Sequence, residues 1–198
     1  MEDKDLIVVG IGASAGGLEP LFELFSNISE NPGVAFVVVQ HLQRDHKSQM
    51  KDILSKHTHL PIFTITEGVP IKPNCIYLMP ENTEVHIKEG HLFLEIRKAN
   101  EIVNYAIDEF FLSLARHVRE KAIGIILSGM GSDGTKGATA IEKAGGIVMV
   151  QHPESTAYDG MTSSAIYNDH PDYILFPKEM GKYILEHLTH IKEHSQST

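Results

Sequence analysis

The sequence predicts an α/β fold: a doubly wound, mainly parallel sheet with helices on both faces and a small antiparallel hairpin. Three observations carry this. Several short runs are apolar throughout, as strands buried on both faces are. Amphipathic segments of helical period separate them. Near the middle the pattern breaks into prolines and short strand-like runs around a Glu-Gly turn.

Leu6-Ile7-Val8-Val9 reads as a buried strand that stops at Gly10. Leu18, Leu21, Phe22 and Phe25 then fall at i, i+3, i+4 and i+7, one face of a helix. Residues 34–39 are mostly β-branched and form a second strand. Met50, Ile53 and Leu54 mark the next helix. Pro61, Pro70, Pro73 and Pro80 punctuate the middle of the chain. There 75–79 reads as a short strand, and 84–96, turning at Glu89-Gly90, as the hairpin. Ile107, Phe111, Leu114, Ala115 and Val118 share a helical face, with Asp108 as the N-cap of that helix. Residues 122–127 are the third clear buried strand, followed by a helix over about 135–143 that ends at Gly145-Gly146. Residues 147–150 and 173–175 are strands, and Tyr183, Ile184, Leu188 and Ile191 mark a closing helix.

A chain of 198 residues makes one domain at about 150 residues per domain. We assign 1–188 to the folded unit and 189–198 to a polar tail or linker. Lys and Arg number 17 against 26 Asp and Glu, a net charge of −9. That balance argues against nucleic acid as a partner, because binding to phosphate backbones is driven by Lys and Arg contacts. It argues equally against docking on anionic lipid. Cys75 is the only cysteine, so neither an intrachain disulfide nor a Cys-based zinc site is expected. No apolar run of about 18 residues and no leader-like segment is present. Direct membrane insertion is therefore not expected, and a cytoplasmic location is.

Ligands of open parallel sheets bind beyond the carboxyl ends of the strands, where strand order reverses. After the first strand comes Gly10-Ile11-Gly12-Ala13-Ser14-Ala15-Gly16-Gly17. After the second comes Gln40-His41. After the third clear strand comes Ser128-Gly129-Met130-Gly131-Ser132-Asp133-Gly134. Together these loops hold a serine, a histidine and an aspartate, the set that nucleophilic acyl transfer needs. The first loop taken alone supports three readings. It fits a dinucleotide fingerprint, although Gln40-His41 stands where a ribose-binding acid belongs. It fits the G-x-S-x-G serine turn over 12–16. It also fits a plain turn with Ser14 as N-cap. Asp133 either orients His41 or caps the helix behind it. Asp45, Asp108, Asp159 and Asp169 are rival acids. His46, His57 and His59 lack the i, i+4 metal-binding pattern and read as solvated histidines, so no metal is expected.

Taken together these loops resemble the catalytic domain of CheB, the chemotaxis protein-glutamate methylesterase. The matching segments are 12–17, Gln40-His41, 68–80 ending in Tyr77-Leu78-Met79-Pro80, and 127–134. The resemblance runs from about residue 6 to 188. Segments 37–42, 45–48 and 107–111, with Pro153-Glu154-Ser155 and 158–161, are closer to the methylesterase module of CheB–CheR fusion proteins. The resemblance implies Ser14 as nucleophile, His41 as general base and Asp133 as orienting acid. It also implies a methylated receptor or signalling protein as substrate, with a glutamine deamidase side activity, a fused or partner CheR-type methyltransferase, and no cofactor. The backbone amides of Ala15 and Met130 are the oxyanion-hole candidates. Two departures are visible. Stand-alone enzymes carry a receiver domain ahead of the catalytic one, and Ser14 stands too early in this sequence for that arrangement. Where those enzymes tend to have Arg-x-Pro-Ser-Val-Asp, this chain reads Tyr105-Ala106-Ile107-Asp108. The alternatives are a nucleotide-binding α/β protein and a catalytically silent signalling module.

Overall fold

The computed structural model describes residues 6–41, 48–98, 104–168 and 170–195. Seven strands form one parallel sheet in the order β10-β9-β8-β1-β2-β5-β3, where these are β1 (Val8–Ala13), β2 (Ala35–Gln40), β3 (Ile62–Thr64), β5 (Cys75–Leu78), β8 (Ala122–Ile126), β9 (Ile147–Gln151) and β10 (Tyr173–Leu175). All registered pairs in it are parallel. Three further strands, β4 (Val69–Pro70), β6 (Thr83–Lys88) and β7 (His91–Ile96), form a separate antiparallel sheet. The helices are α1 (Leu18–Ser26), α2 (Met50–Leu54), α3 (Ala106–Val118), α4 (Thr135–Lys143), α5 (Gly160–Asn168) and α6 (Pro177–Ser195).

The apolar strands feed two cores, one on each face. Leu21, Leu24 and Phe25 of α1 pack with Met180 and Ile184 of α6 on one face. Phe110, Phe111 and Leu114 of α3, Ile141 of α4 and Val85 of β6 cover the other. Strand order reverses at β1, which pairs with β2 on one side and β8 on the other. Helix α3 lies hard against β1 because Gly10 and Gly12 leave room for it. A Cβ on Gly12 would stand 2.4 Å from Ile107, and one on Gly10 would stand 2.9 Å from Phe110 and Leu114. The first turn of α3 is thereby brought to the carboxyl end of β1.

The predicted hairpin forms with both turn residues at positive φ, Glu89 at 49° and Gly90 at 74°, as a two-residue loop between twisted strands requires. It is wider than expected, since Val69 and Pro70 pair with Leu92 and His91 and make it three-stranded. Residues 75–78 belong to the main parallel sheet, beside β2, and β3 extends that sheet at its edge. Helix α5 has little apolar stripe, burying only Met161, Thr162 and Ala165, so its sequence gave no helical signal. On α1, Leu18 is exposed and Leu24 is buried in its stead. Helix α6 runs on past residue 188 to Ser195, through the segment from 189 that is expected to be a polar tail or linker. No glycine or proline interrupts 182–195.

Candidate active site

Ser14 follows the last residue of β1, His41 follows the last of β2, and Asp133 lies on the loop after β8. The parallel ladder continues past the strand ends. The amide of Ser14 donates to the Ser128 carbonyl at 3.0 Å and that of His41 to the Ala13 carbonyl at 3.2 Å. These bonds tie all three loops to neighbouring strands at the point where strand order reverses.

The side chains form one hydrogen-bonded chain. Ser14 Oγ lies 3.1 Å from His41 Nδ1. His41 Nε2 lies 2.7 Å from Asp133 Oδ2. The imidazole is 20% exposed and the carboxylate 5%. For Nδ1 to accept from the serine hydroxyl, the ring hydrogen must sit on Nε2, where Asp133 accepts it. The ring is therefore reversed relative to the chymotrypsin-type template, in which Nε2 faces the serine and Nδ1–H the acid. The order of hydroxyl, imidazole and carboxylate along the hydrogen-bonded chain is the same.

Asp133 does more than meet the histidine. Oδ1 accepts the amides of Asp108 and Gly134, each at 2.9 Å, and Oδ2 also accepts the amide of Ile107 at 3.0 Å. Ile107 and Asp108 are in the first turn of α3, so this carboxylate fills the amide end of a helix other than its own and takes advantage of its dipole. Asn104 Oδ1 accepts the Ala106 amide, which completes that turn. Asp133 is thus not the N-cap of α4, a position held by Gly134 at φ 94°.

The reading of Ser14 as an N-cap also fails. Gly17 is the N-cap of α1, and the Ser14 side chain turns to His41. The dinucleotide reading loses its glycines, because Gly10 and Gly12 lie within β1 and face α3. Asp108 is not an N-cap either: Tyr105 holds that position, and Asp108 sits in the first turn, 4% exposed. Its Oδ1 accepts the Gly137 amide at 2.9 Å. Burial pushes the Asp108 carboxyl above its usual range and the nearby Asp133 charge adds to this, while the Gly137 amide opposes it. Asp159 accepts bonds from Ser163 and Thr162 at the start of α5. His57 stacks on Phe22 with ring centroids 4.3 Å apart. Asp45, His46 and Asp169 lie outside the described residues.

Two polar residues at the ends of apolar strands belong to no sequence motif that assigns them a role. Ser128 is fully buried, and its Oγ donates to the carbonyls of Ala15 and Tyr158. Gln151, also fully buried, accepts the Ser128 amide at 2.8 Å and donates to the Ser155 carbonyl. Together they join the serine loop to the 152–158 segment. Gly129 packs against Ser14: a Cβ there would stand 2.8 Å from Ser14 Cβ and 2.1 Å from Met161 Sδ. The amides of Ala15 and Met130 have no acceptor among the described residues. The Met130 side chain is 63% exposed, and Tyr105 and Tyr158 are also exposed.

A family model described as CheB methylesterase matches residues 9–184. A protein-glutamate methylesterase/protein-glutamine glutaminase of Paramagnetospirillum magneticum is 31% identical over 180 residues, covering 90% of this chain and 51% of that protein. A 104.1 kDa protein of Rhodobacter capsulatus is 33% identical over 139 residues, covering 70% of this chain and 14% of its own length. The chain therefore spans about half of the first relative and a small part of the second. The crystal structure of the Thermotoga maritima CheB methylesterase catalytic domain superposes with a TM-score of 0.84 at 28% identity, over 92% of this chain and 98% of that one.

Proposed function

Since the chain belongs to the CheB methylesterase family, we propose that it is a serine esterase that hydrolyses glutamyl γ-methyl esters on a methylated receptor or other signalling protein. The observation that carries this reading is the continuous chain from Ser14 Oγ through His41 to Asp133, at 3.1 and 2.7 Å.

Ser14 Oγ attacks the ester carbonyl carbon while His41 Nδ1 takes its proton. Asp133 holds the ring tautomer and stabilises the imidazolium. The amides of Ala15 and Met130 are the donors for the oxyanion. Each is worth about 3 kcal/mol of barrier when aimed at it. His41 then protonates the departing methoxide. Water, deprotonated by the same nitrogen, cleaves the acyl-enzyme and leaves glutamate and methanol. The same attack on a glutamine side chain would release ammonia, so deamidation is a second activity of the site. The 14% share of the Rhodobacter protein supports a setting within a longer chain, and a fused or partner CheR-type methyltransferase is the expected neighbour. Among the described residues no helix is long and apolar enough to cross a membrane. The expected setting is the cytoplasm, where a lone thiol such as Cys75 stays reduced.

The test is methanol release from a protein carrying glutamyl γ-methyl esters. The wild-type chain should release methanol, and Ser14→Ala should keep its fold and release none. Turnover by the folded Ser14→Ala chain would overturn the assignment.

A further inference from the structure

Helices α3 and α4 cap each other with aspartates. The amides of Ile107 and Asp108, in the first turn of α3, donate to Asp133, which lies just before α4. In return Asp108, in the first turn of α3, accepts the amide of Gly137 in the first turn of α4. Both carboxyls are almost fully buried, at 4% and 5% exposure. Gly137 is suited to this approach, since a Cβ there would lie 2.3 Å from Phe111 Cβ and 3.1 Å from the Asp108 carbonyl. One end of the device is the catalytic acid proposed above. The other end touches neither Ser14 nor His41 by any hydrogen bond among the described residues.

The geometry points to Asp108 as a positioning residue: by holding the first turn of α4 against α3, it fixes the loop that presents the Asp133 carboxylate to His41. This inference rests on the esterase reading, because it assumes that Asp133 serves the His41 base. Its physical content is the precision of one short hydrogen bond. Asp133 Oδ2 must receive both the Ile107 amide and His41 Nε2–H, and a small rotation of the loop that keeps one lengthens the other. The Asp108–Gly137 bond is the tie on the α4 side that opposes such a rotation. An acceptor oxygen, rather than a charge, is what the tie requires. Asparagine at 108 should therefore serve and alanine should not.

The experiment measures the rate at which a fluorophosphonate modifies Ser14, which needs no knowledge of the receptor. Wild type, Asp108→Asn, Asp108→Ala, Asp133→Ala and the Asp108→Ala/Asp133→Ala double variant are compared, with Ser14→Ala as the blank. Asp108→Ala should slow modification about tenfold or more, while Asp108→Asn stays within about threefold of wild type. The double variant should react as slowly as Asp133→Ala alone, since a residue that acts through Asp133 has nothing left to act on. The low-field proton of the His41–Asp133 hydrogen bond should persist in Asp108→Asn and be shifted or lost in Asp108→Ala. The proposal is overturned by wild-type rates in Asp108→Ala, by failure of asparagine to rescue, or by a double variant slower than Asp133→Ala by the full Asp108→Ala factor. If Asp108→Ala does not fold, Asp108→Leu is read in the same way. A chain that folds with neither overturns positioning in favour of a role in folding alone. Absence of reaction in wild type would instead overturn the esterase reading.

Discussion

Replacing Asp133 with asparagine removes one acceptor and adds two donors at the most crowded point of the site. The Asp108 and Gly134 amides both address Oδ1, and the Ile107 amide and His41 Nε2–H both address Oδ2. An asparagine that keeps its oxygen toward the first pair turns its amide nitrogen toward the second, and two donor–donor encounters result. His41 can relieve its own by carrying the hydrogen on Nδ1, but Nδ1 then faces Ser14 Oγ as a donor and is no longer a base. The same tautomer error costs about 10⁴ in kcat in the chymotrypsin-type template, and a loss of about 10³–10⁴ is expected here. The Ile107 amide cannot change its hydrogen and is left buried without an acceptor, a cost of about 1–3 kcal/mol. At about 2–4 °C per kcal/mol for a chain of this size, Tm should fall by about 2–12 °C. Steady-state hydrolysis of an activated ester and a thermal melt followed by circular dichroism read the two effects. A folded Asp133→Asn chain with kcat within tenfold of wild type would refute the reasoning.

Three more outcomes are expected. Gly129→Ala drives a methyl into Ser14 Cβ and Met161 Sδ; it should lower stability by about 1–3 kcal/mol and kcat by more than that loss explains, as urea titration and ester turnover will show. Ser128→Ala leaves the Ala15 and Tyr158 carbonyls and the Tyr158 amide without their shared hydroxyl, so it should cost about 1–3 kcal/mol and loosen the serine loop, which hydrogen exchange at Ala15 and Gly16 will report. Asp108 contributes a pH dependence of stability. Burial and Asp133 hold its carboxyl above the ordinary value of 3.8, with Lys136 and the Gly137 and Gly134 amides opposing, so the folded state keeps this proton after the unfolded chain has lost it. Stability relative to Asp108→Asn should then fall as pH rises from about 3.8 and level off once folded Asp108 ionises; urea midpoints from pH 3.5 upward that show a constant difference would contradict this.

Much of this site was legible because the rule for parallel sheets says where to look. Once 6–9, 34–39 and 122–127 are read as buried strands, the residues beyond them are the candidates, and Ser14, His41 and Asp133 are among them. What stayed hidden depended on tertiary contacts. Asp108 before an apolar helical face looks like an N-cap, and nothing local says that its carboxyl reaches a different helix. Ser128 and Gln151 look like ordinary strand-end polar residues until their shared hydrogen bond is seen. The segment 75–79 reads as a short strand, but the prolines around it conceal its partner, and 75–78 pairs with β2 in the main sheet. Strands of two or three residues, such as β3 and β4, carry too few side chains to show any period.

The most direct measurement is to treat the wild-type chain with a fluorophosphonate and locate the adduct by peptide mass spectrometry. A single phosphonyl group on Ser14, absent when His41 is replaced by alanine, is the predicted result. An unmodified chain, or an adduct on any other serine, would contradict the proposed role of these three loops.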